Sequence, residues 1–180
     1  MTASLSLPEK VVAIDRALAE VPHAFGGALA LAYYAEPRAT IDIDLNVFVP
    51  VGEAAAVIDR LRELGVTGDA SADALERDGQ VRLWWDRNPI DLFFSYDAFH
   101  DAARDAARPV PFADTEIPVL AADHLVVCKA VFDRPKDWID IDAMLAAGTA
   151  LDAGEVLRWV SRITGPDDPR FARLARVLAG

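Results

Sequence analysis

Two aspartates two residues apart in one β-branched run, Thr40-Ile41-Asp42-Ile43-Asp44-Leu45-Asn46-Val47, carry the first chemical signal of this sequence. A strand repeats every two residues, so both carboxylates would leave it on the same face. At a rise of ~3.3 Å per residue their α-carbons stand about 6.6 Å apart, close enough for both side chains to grip divalent ions ~3.5–4 Å apart. The competing reading is an amphipathic strand, with Ile41, Ile43, Leu45 and Val47 in the core and Asp42, Asp44 and Asn46 facing water.

Upstream, the segment from His23 to Tyr34 places Gly26-Gly27 at the opening of an Ala/Leu-rich helix. Glycines let backbone amides approach a phosphate, and a helix N-terminus offers unpaired N–H groups and positive partial charge. A triphosphate held there would meet metal ions held by the acidic strand on its other side. An ordinary strand-to-helix turn is the plainer alternative.

A third acid, Asp91, interrupts the apolar run Ile90-Asp91-Leu92-Phe93-Phe94. The spacing predicts a strand over 80–85, a turn over Asp86-Arg87-Asn88-Pro89 and a returning strand from Ile90. A buried lone carboxylate costs several kcal/mol, at least ~3, unless it is paired or metal-bound, so Asp91 needs a partner. Metal shared with Asp42 and Asp44 would supply one; an edge strand with Asp91 in solvent would remove the need.

The pattern Gly26-Gly27-Ala28, then Arg38-x-Thr40-x-Asp42-x-Asp44, then Asp91, resembles the AbiEii-type nucleotidyltransferases of the polymerase-β-like superfamily. The resemblance extends to Lys129-Ala130-Val131-Phe132-Asp133-Arg134-Pro135-Lys136-Asp137-Trp138-Ile139-Asp140, so its motifs span roughly residues 23 to 145. It implies an α/β nucleotidyltransferase-like core in which Asp42, Asp44 and Asp91 hold magnesium, with manganese as the alternative ion, and a nucleoside triphosphate is the substrate. It further implies that the Gly26-Gly27 turn holds the triphosphate; beside it, Lys129 is expected at the phosphates, Thr40 at the nucleotide, Arg38 at the acidic loop or the nucleotide, and Lys136 and Asp137 in structural pairing or substrate contact. Many relatives are toxins of toxin-antitoxin or abortive-infection systems, and the MenT-like ones modify tRNA. An RNA acceptor such as tRNA and a cognate antitoxin are therefore expected partners. This chain carries Gly-Gly where the superfamily often has Gly-Ser, so backbone N–H groups must replace the serine hydroxyl at the phosphate.

The elements that must position these groups follow from periodicity and punctuation. Helices are expected from about Pro8 to Glu20, Glu53 to Leu64, Tyr96 to Ala107, Ala122 to Phe132, Pro135 to Ala147, Gly154 to Ile163 and Pro169 to Leu178. Short extended pieces are expected at Val110–Ala113 and Pro118–Leu120. The fold class is α/β, a mixed sheet with flanking helices over about 1–120 and a helical C-terminal subregion over about 121–180, forming a single domain that would close over the nucleotide. Lys129 shares a helix face with Leu125 and Phe132, which would bring its charge out at the cleft; snorkelling or a structural salt bridge is the alternative.

Composition narrows the function classes. The 180 residues are 53% apolar, enough for one sizeable core. The single cysteine, Cys128, forms no internal disulfide and sits in an apolar setting as a small core residue. The chain shows no signal-peptide pattern and no membrane-spanning run, so a cytoplasmic location and no membrane partner are expected. A formal charge of −11 argues against extensive nonspecific nucleic-acid binding and suits a cationic acceptor such as an aminoglycoside. An antibiotic nucleotidyltransferase and a catalytically silent nucleotide-binding relative are thus the alternatives to an RNA-directed toxin. No zinc-ligand spacing, Gly-x-Ser-x-Gly elbow or Walker lysine loop is present.

Overall fold

The alternating and apolar runs pair into a six-stranded mixed sheet whose strands are β1 (His23–Phe25), β2 (Ile43–Pro50), β3 (Gln80–Trp85), β4 (Asn88–Ser95), β5 (Arg108–Phe112) and β6 (Thr115–Val119). Their order across the sheet is β3-β4-β2-β1-β6-β5. This computed structural model describes residues 5–180. They fall into two units: the described residues up to Leu29 with Ala39–Leu120, and Ala30–Arg38 with Ala121–Gly180.

In the first unit β2 and β4 run parallel at neighbouring positions, while β3 returns antiparallel on the outer side of β4 and β1 lies antiparallel to β2. Ile43, Leu45 and Val47 of β2 and Ile90, Leu92 and Phe94 of β4 are fully buried, and the residues between them leave on the opposite face. Each such side chain contributes about 1.5–3 kcal/mol on burial, so the register is strongly specified. Pro109 and Pro111 sit in β5, an edge strand, where a missing N–H is tolerated.

Around this sheet lie α1 (Leu7–Ala17), α3 (Ala54–Glu63), α4 (Ala72–Asp78) and α5 (Ala98–Ala106), while α2 (Gly27–Leu31) follows β1 with only its first three residues in this unit. The first of them starts in a capping box, with Glu9 accepting from the Ser6 N–H at 2.7 Å. The expectation for 8–20 ran too far because the chain turns out of helix after Ala17. Although α4 was not anticipated, its signals are local: Ser71 caps its start and Gly79, at φ +63°, ends it in the left-handed conformation.

The second unit is helical: α6 (Ala122–Phe132), α7 (Pro135–Ala146), α8 (Ala153–Thr164) and α9 (Pro169–Ala179). Asp133 at φ +56° ends α6, Pro135 opens α7, and Asp152 and Asp168 cap α8 and α9. Leu125, Val126, Ala130, Ile141, Met144, Val156, Val160 and Leu174 form its core. Cys128 is only partly buried. Among the described residues no helix is long and apolar enough to cross a membrane.

Candidate active site

The register of the first unit places the acids side by side. Asp44 on β2 is the partner of Asp91 on β4, and Arg82 on β3 is the partner of Asp91 from the other side. Beyond Asp44, Gly26 donates its amide to the Asp44 carbonyl at 2.9 Å. One row therefore crosses the sheet in the order Arg82, Asp91, Asp44, Gly26. Because alternate residues of β2 and β4 are buried, Asp44 and Asp91 share the less buried face.

Asp42 stands just outside this ladder. The strand expected from Thr40 begins only at Ile43, because the Thr40 hydroxyl accepts the Asp42 N–H at 3.0 Å and draws it into a local turn. Asp42 still belongs to the same electrostatic neighbourhood. The Arg82 guanidinium has its pKa raised, first by hydrogen bonding to Asp91 and then by the charge of Asp91, with smaller contributions from Asp42 and Asp44.

The glycine turn meets the row at close range. Gly27 has φ +53°, and a Cβ built on it would overlap Asp44 Oδ2. Only a residue without a side chain lets the backbone approach that carboxylate so closely. Since α2 has five residues, the turn presents backbone groups more than a developed helix dipole.

Three carboxylates are the hard-oxygen donor set that suits magnesium or manganese, so the residues fit such an ion in type, and the strand register brings two of them, Asp44 and Asp91, side by side. The side chains are not gathered around one, however. Both Asp91 oxygens are held in the Arg82 fork, with Nε donating to Oδ1 and Nη2 to Oδ2 at 2.7 Å each. Among the described residues no three His, Cys, Asp or Glu side chains converge closely enough to hold an ion. An ion at Asp91 requires Arg82 to give way.

The remaining candidates lie in the second unit. Lys129 is buried, and its ammonium donates to Asp140 Oδ2 at 2.6 Å. Arg38 holds the same carboxylate through Nε and Nη2 at 3.0 Å each. Burial would raise the Asp140 pKa, but the hydrogen bonds and positive charge of Arg38 and Lys129 outweigh it and hold the carboxyl below its usual value. Asp137 is buried and accepts from the Arg134 backbone N–H and guanidinium at the start of α7, while Lys136 is exposed. Asp137 is thus a capping carboxylate.

Solved structures share this architecture. The solution structure of the antibiotic-resistance factor ANT(2'')-Ia aligns over 98% of this chain and 99% of that chain, with a TM-score of 0.63 at 16% identity. The lincosamide antibiotic adenylyltransferase LnuA with lincomycin bound aligns over 81% of this chain and 99% of that chain, with a TM-score of 0.57 at 13% identity. The fold is that of nucleotidyltransferases. ANT(2'')-Ia in complex with adenylyl-2''-tobramycin likewise aligns over 94% of each chain, with a TM-score of 0.54 at 15% identity. No protein-family model and no curated protein sequence matches the chain.

Against this nucleotidyltransferase fold, Arg82 is the residue that sequence reasoning missed. Its signal was present. The hairpin turn is two residues, Asp86-Arg87, with Trp85 opposite Asn88, and counting back from there pairs Arg82 with Asp91. A four-residue turn over 86–89 shifts that count and hides the pair.

Proposed function

We propose that this chain transfers a nucleoside monophosphate from a nucleoside triphosphate to an acceptor hydroxyl. In that reaction the acceptor oxygen bonds to the α-phosphorus, the bond from that phosphorus to the bridging oxygen breaks, pyrophosphate leaves, and the hydroxyl proton passes to a base. The observation that carries the reading is the pairing of Asp44 with Asp91 on neighbouring parallel strands, beside the Gly26-Gly27 turn, in a chain with the nucleotidyltransferase fold.

Asp42, Asp44 and Asp91 would hold magnesium, which when bound neutralises phosphate charge and lowers the pKa of the attacking hydroxyl. Gly26 and Gly27 present backbone to the triphosphate, and Asp91, farther along the row, orients the acceptor hydroxyl and takes its proton. Thr40 fixes the backbone of Asp42. The pairing of Lys129 and Arg38 with Asp140 supports a structural role for both in place of direct phosphate binding. AbiEii membership belongs to this proposal and rests on the sequence motifs.

For the acceptor we favour a cationic small molecule bearing hydroxyl groups. The −11 charge attracts cations, and the structural neighbours include antibiotic-modifying enzymes. The RNA acceptor of the AbiEii-type toxins is the second reading, supported by the Arg38-x-Thr40-x-Asp42-x-Asp44 and Arg134-Pro135-Lys136-Asp137 motifs. The chain, magnesium and four α-labelled triphosphates are incubated separately with tobramycin, lincomycin and total RNA. Label on either antibiotic supports the first reading, and label on an RNA band transfers the proposal to the toxin class. No product with any acceptor, together with no calorimetric binding of triphosphate, overturns the enzyme and leaves a silent relative.

A further inference from the structure

Lys10 is a charged residue where an apolar one would be expected: it lies on α1 and is 1% exposed. Its three donors are all used. Nζ donates to Trp85 O at 3.0 Å, to Asn88 Oδ1 at 2.9 Å and to Asp86 Oδ2 at 2.8 Å, and it stands 5.5 Å from the centre of the Trp85 ring. Burying an ammonium carries a desolvation cost that its partners must repay, and a methionine would fill the space without that cost. The arrangement asks for a role beyond packing.

Its consequence is the orientation of Asn88. Lysine only donates, so the amide must turn Oδ1 toward it, which leaves Nδ2 to donate to the Ile41 carbonyl at 2.9 Å. That carbonyl belongs to the peptide unit whose N–H is the Asp42 amide, and the Thr40 hydroxyl accepts that N–H at 3.0 Å. Side chains thus hold both edges of one peptide plane. Asp42, lying before the first ladder residue of β2, has no strand partner to do this. With Ile43 held in the ladder on its other side, fixing this plane restricts φ of Asp42 and with it the direction in which its Cα–Cβ bond leaves the chain.

We infer that Lys10 and Asn88 are positioning residues for Asp42: the buried ammonium sets the Asn88 amide, and the amide holds the 41–42 peptide so that the Asp42 carboxylate is presented at the acidic row. The inference rests on the proposed role of Asp42 in holding a divalent ion, and it deepens that reading by tracing the site back to the N-terminal helix. Removing groups that orient a metal ligand typically costs 10–100-fold in metal affinity.

The test is Mn2+ binding to the full chain without nucleotide, followed by paramagnetic resonance. Asn88→Asp keeps an oxygen for Lys10 but sets a carboxylate against the Ile41 carbonyl, and it is expected to weaken Mn2+ by about 10-fold or more. Asn88→Ser, which leaves Lys10 an acceptor, replaces it should Asn88→Asp fail to fold, and exchange of the Asp42 amide in the metal-free chain should quicken in either variant. Ile14→Val, a core change on the same helix, lowers stability and should leave Mn2+ binding unaltered. A folded Asn88 variant that binds Mn2+ as the parent does overturns the positioning role alone. A parent chain that binds no Mn2+ overturns the metal-site reading and the positioning role with it.

Discussion

Arg82 closes on Asp91 as a fork, two N–H···O bonds of 2.7 Å between register partners of β3 and β4. The arginine side chain is 53% exposed and the aspartate 17%. A half-exposed guanidinium can leave at small cost, because pairs open to solvent are worth up to ~1 kcal/mol. In the resting chain the fork neutralises the acid that an incoming cation would otherwise neutralise.

Removing the fork should therefore help a cation. Arg82→Gln is expected to tighten Mn2+ binding in the absence of nucleotide and to lower unfolding stability by about 1 kcal/mol or less. Calorimetry and urea unfolding read the two effects. Unaltered Mn2+ affinity would mean that Asp91 is not one of the metal-holding acids.

The glycine turn gives a sharper contrast. Gly27→Ala forces a left-handed conformation on alanine and drives a methyl into Asp44 Oδ2, while Gly52, whose Cβ would meet nothing within 4 Å, has open space. Gly27→Ala should cost about 1–3 kcal/mol from backbone strain and weaken Mn2+ binding by displacing the carboxylate. Gly52→Ala should do neither. Equal thermal midpoints and equal binding for the two variants would contradict the close approach on which the site depends.

Alternation along the chain makes the direction of Asp44 and the apolar partners of Asp91 legible from residue order alone. Helix ends in the second unit are legible too, because Pro135, Asp152 and Pro169 act within a turn of where they stand. What escapes such reasoning depends on pairing at a distance. Nothing local tells Asp44 that its neighbour is Asp91, reached only through α3, α4 and β3, and the three-residue β1 is too short to announce itself. Lys129 shows the same limit: its face is legible, but the carboxylate that claims it lies on the next helix.

Two histidines predict a pH response near neutrality. Burial pushes both His100 and His124 below the ordinary histidine value of 6.5, with nearby acids opposing only in part. The unfolded chain then takes up protons that the folded chain refuses, so stability is full above about pH 6.5 and declines as pH falls below it, levelling off under the folded pKa values. Urea midpoints from pH 8 to pH 5 should show the decline, and replacing both residues by Gln should flatten it. A parent midpoint constant over that range would contradict the burial assigned to both rings.

Asp140 governs a lower range with the same direction of change. Its folded pKa lies below the usual carboxylate value, so its contribution is complete above the unfolded pKa of about 3.9 and is lost as pH falls through the folded value. Asp140→Asn should remove that acid-range slope and leave the Lys129 ammonium buried against a neutral amide, at a cost of about 3–5 kcal/mol. Arg38→Gln should cost far less, because Arg38 is 40% exposed and Lys129 still holds the carboxylate. Urea unfolding of the two variants at pH 7 ranks them, and an Arg38→Gln chain as unstable as Asp140→Asn would show that the arginine, not the buried lysine, is the principal partner of Asp140.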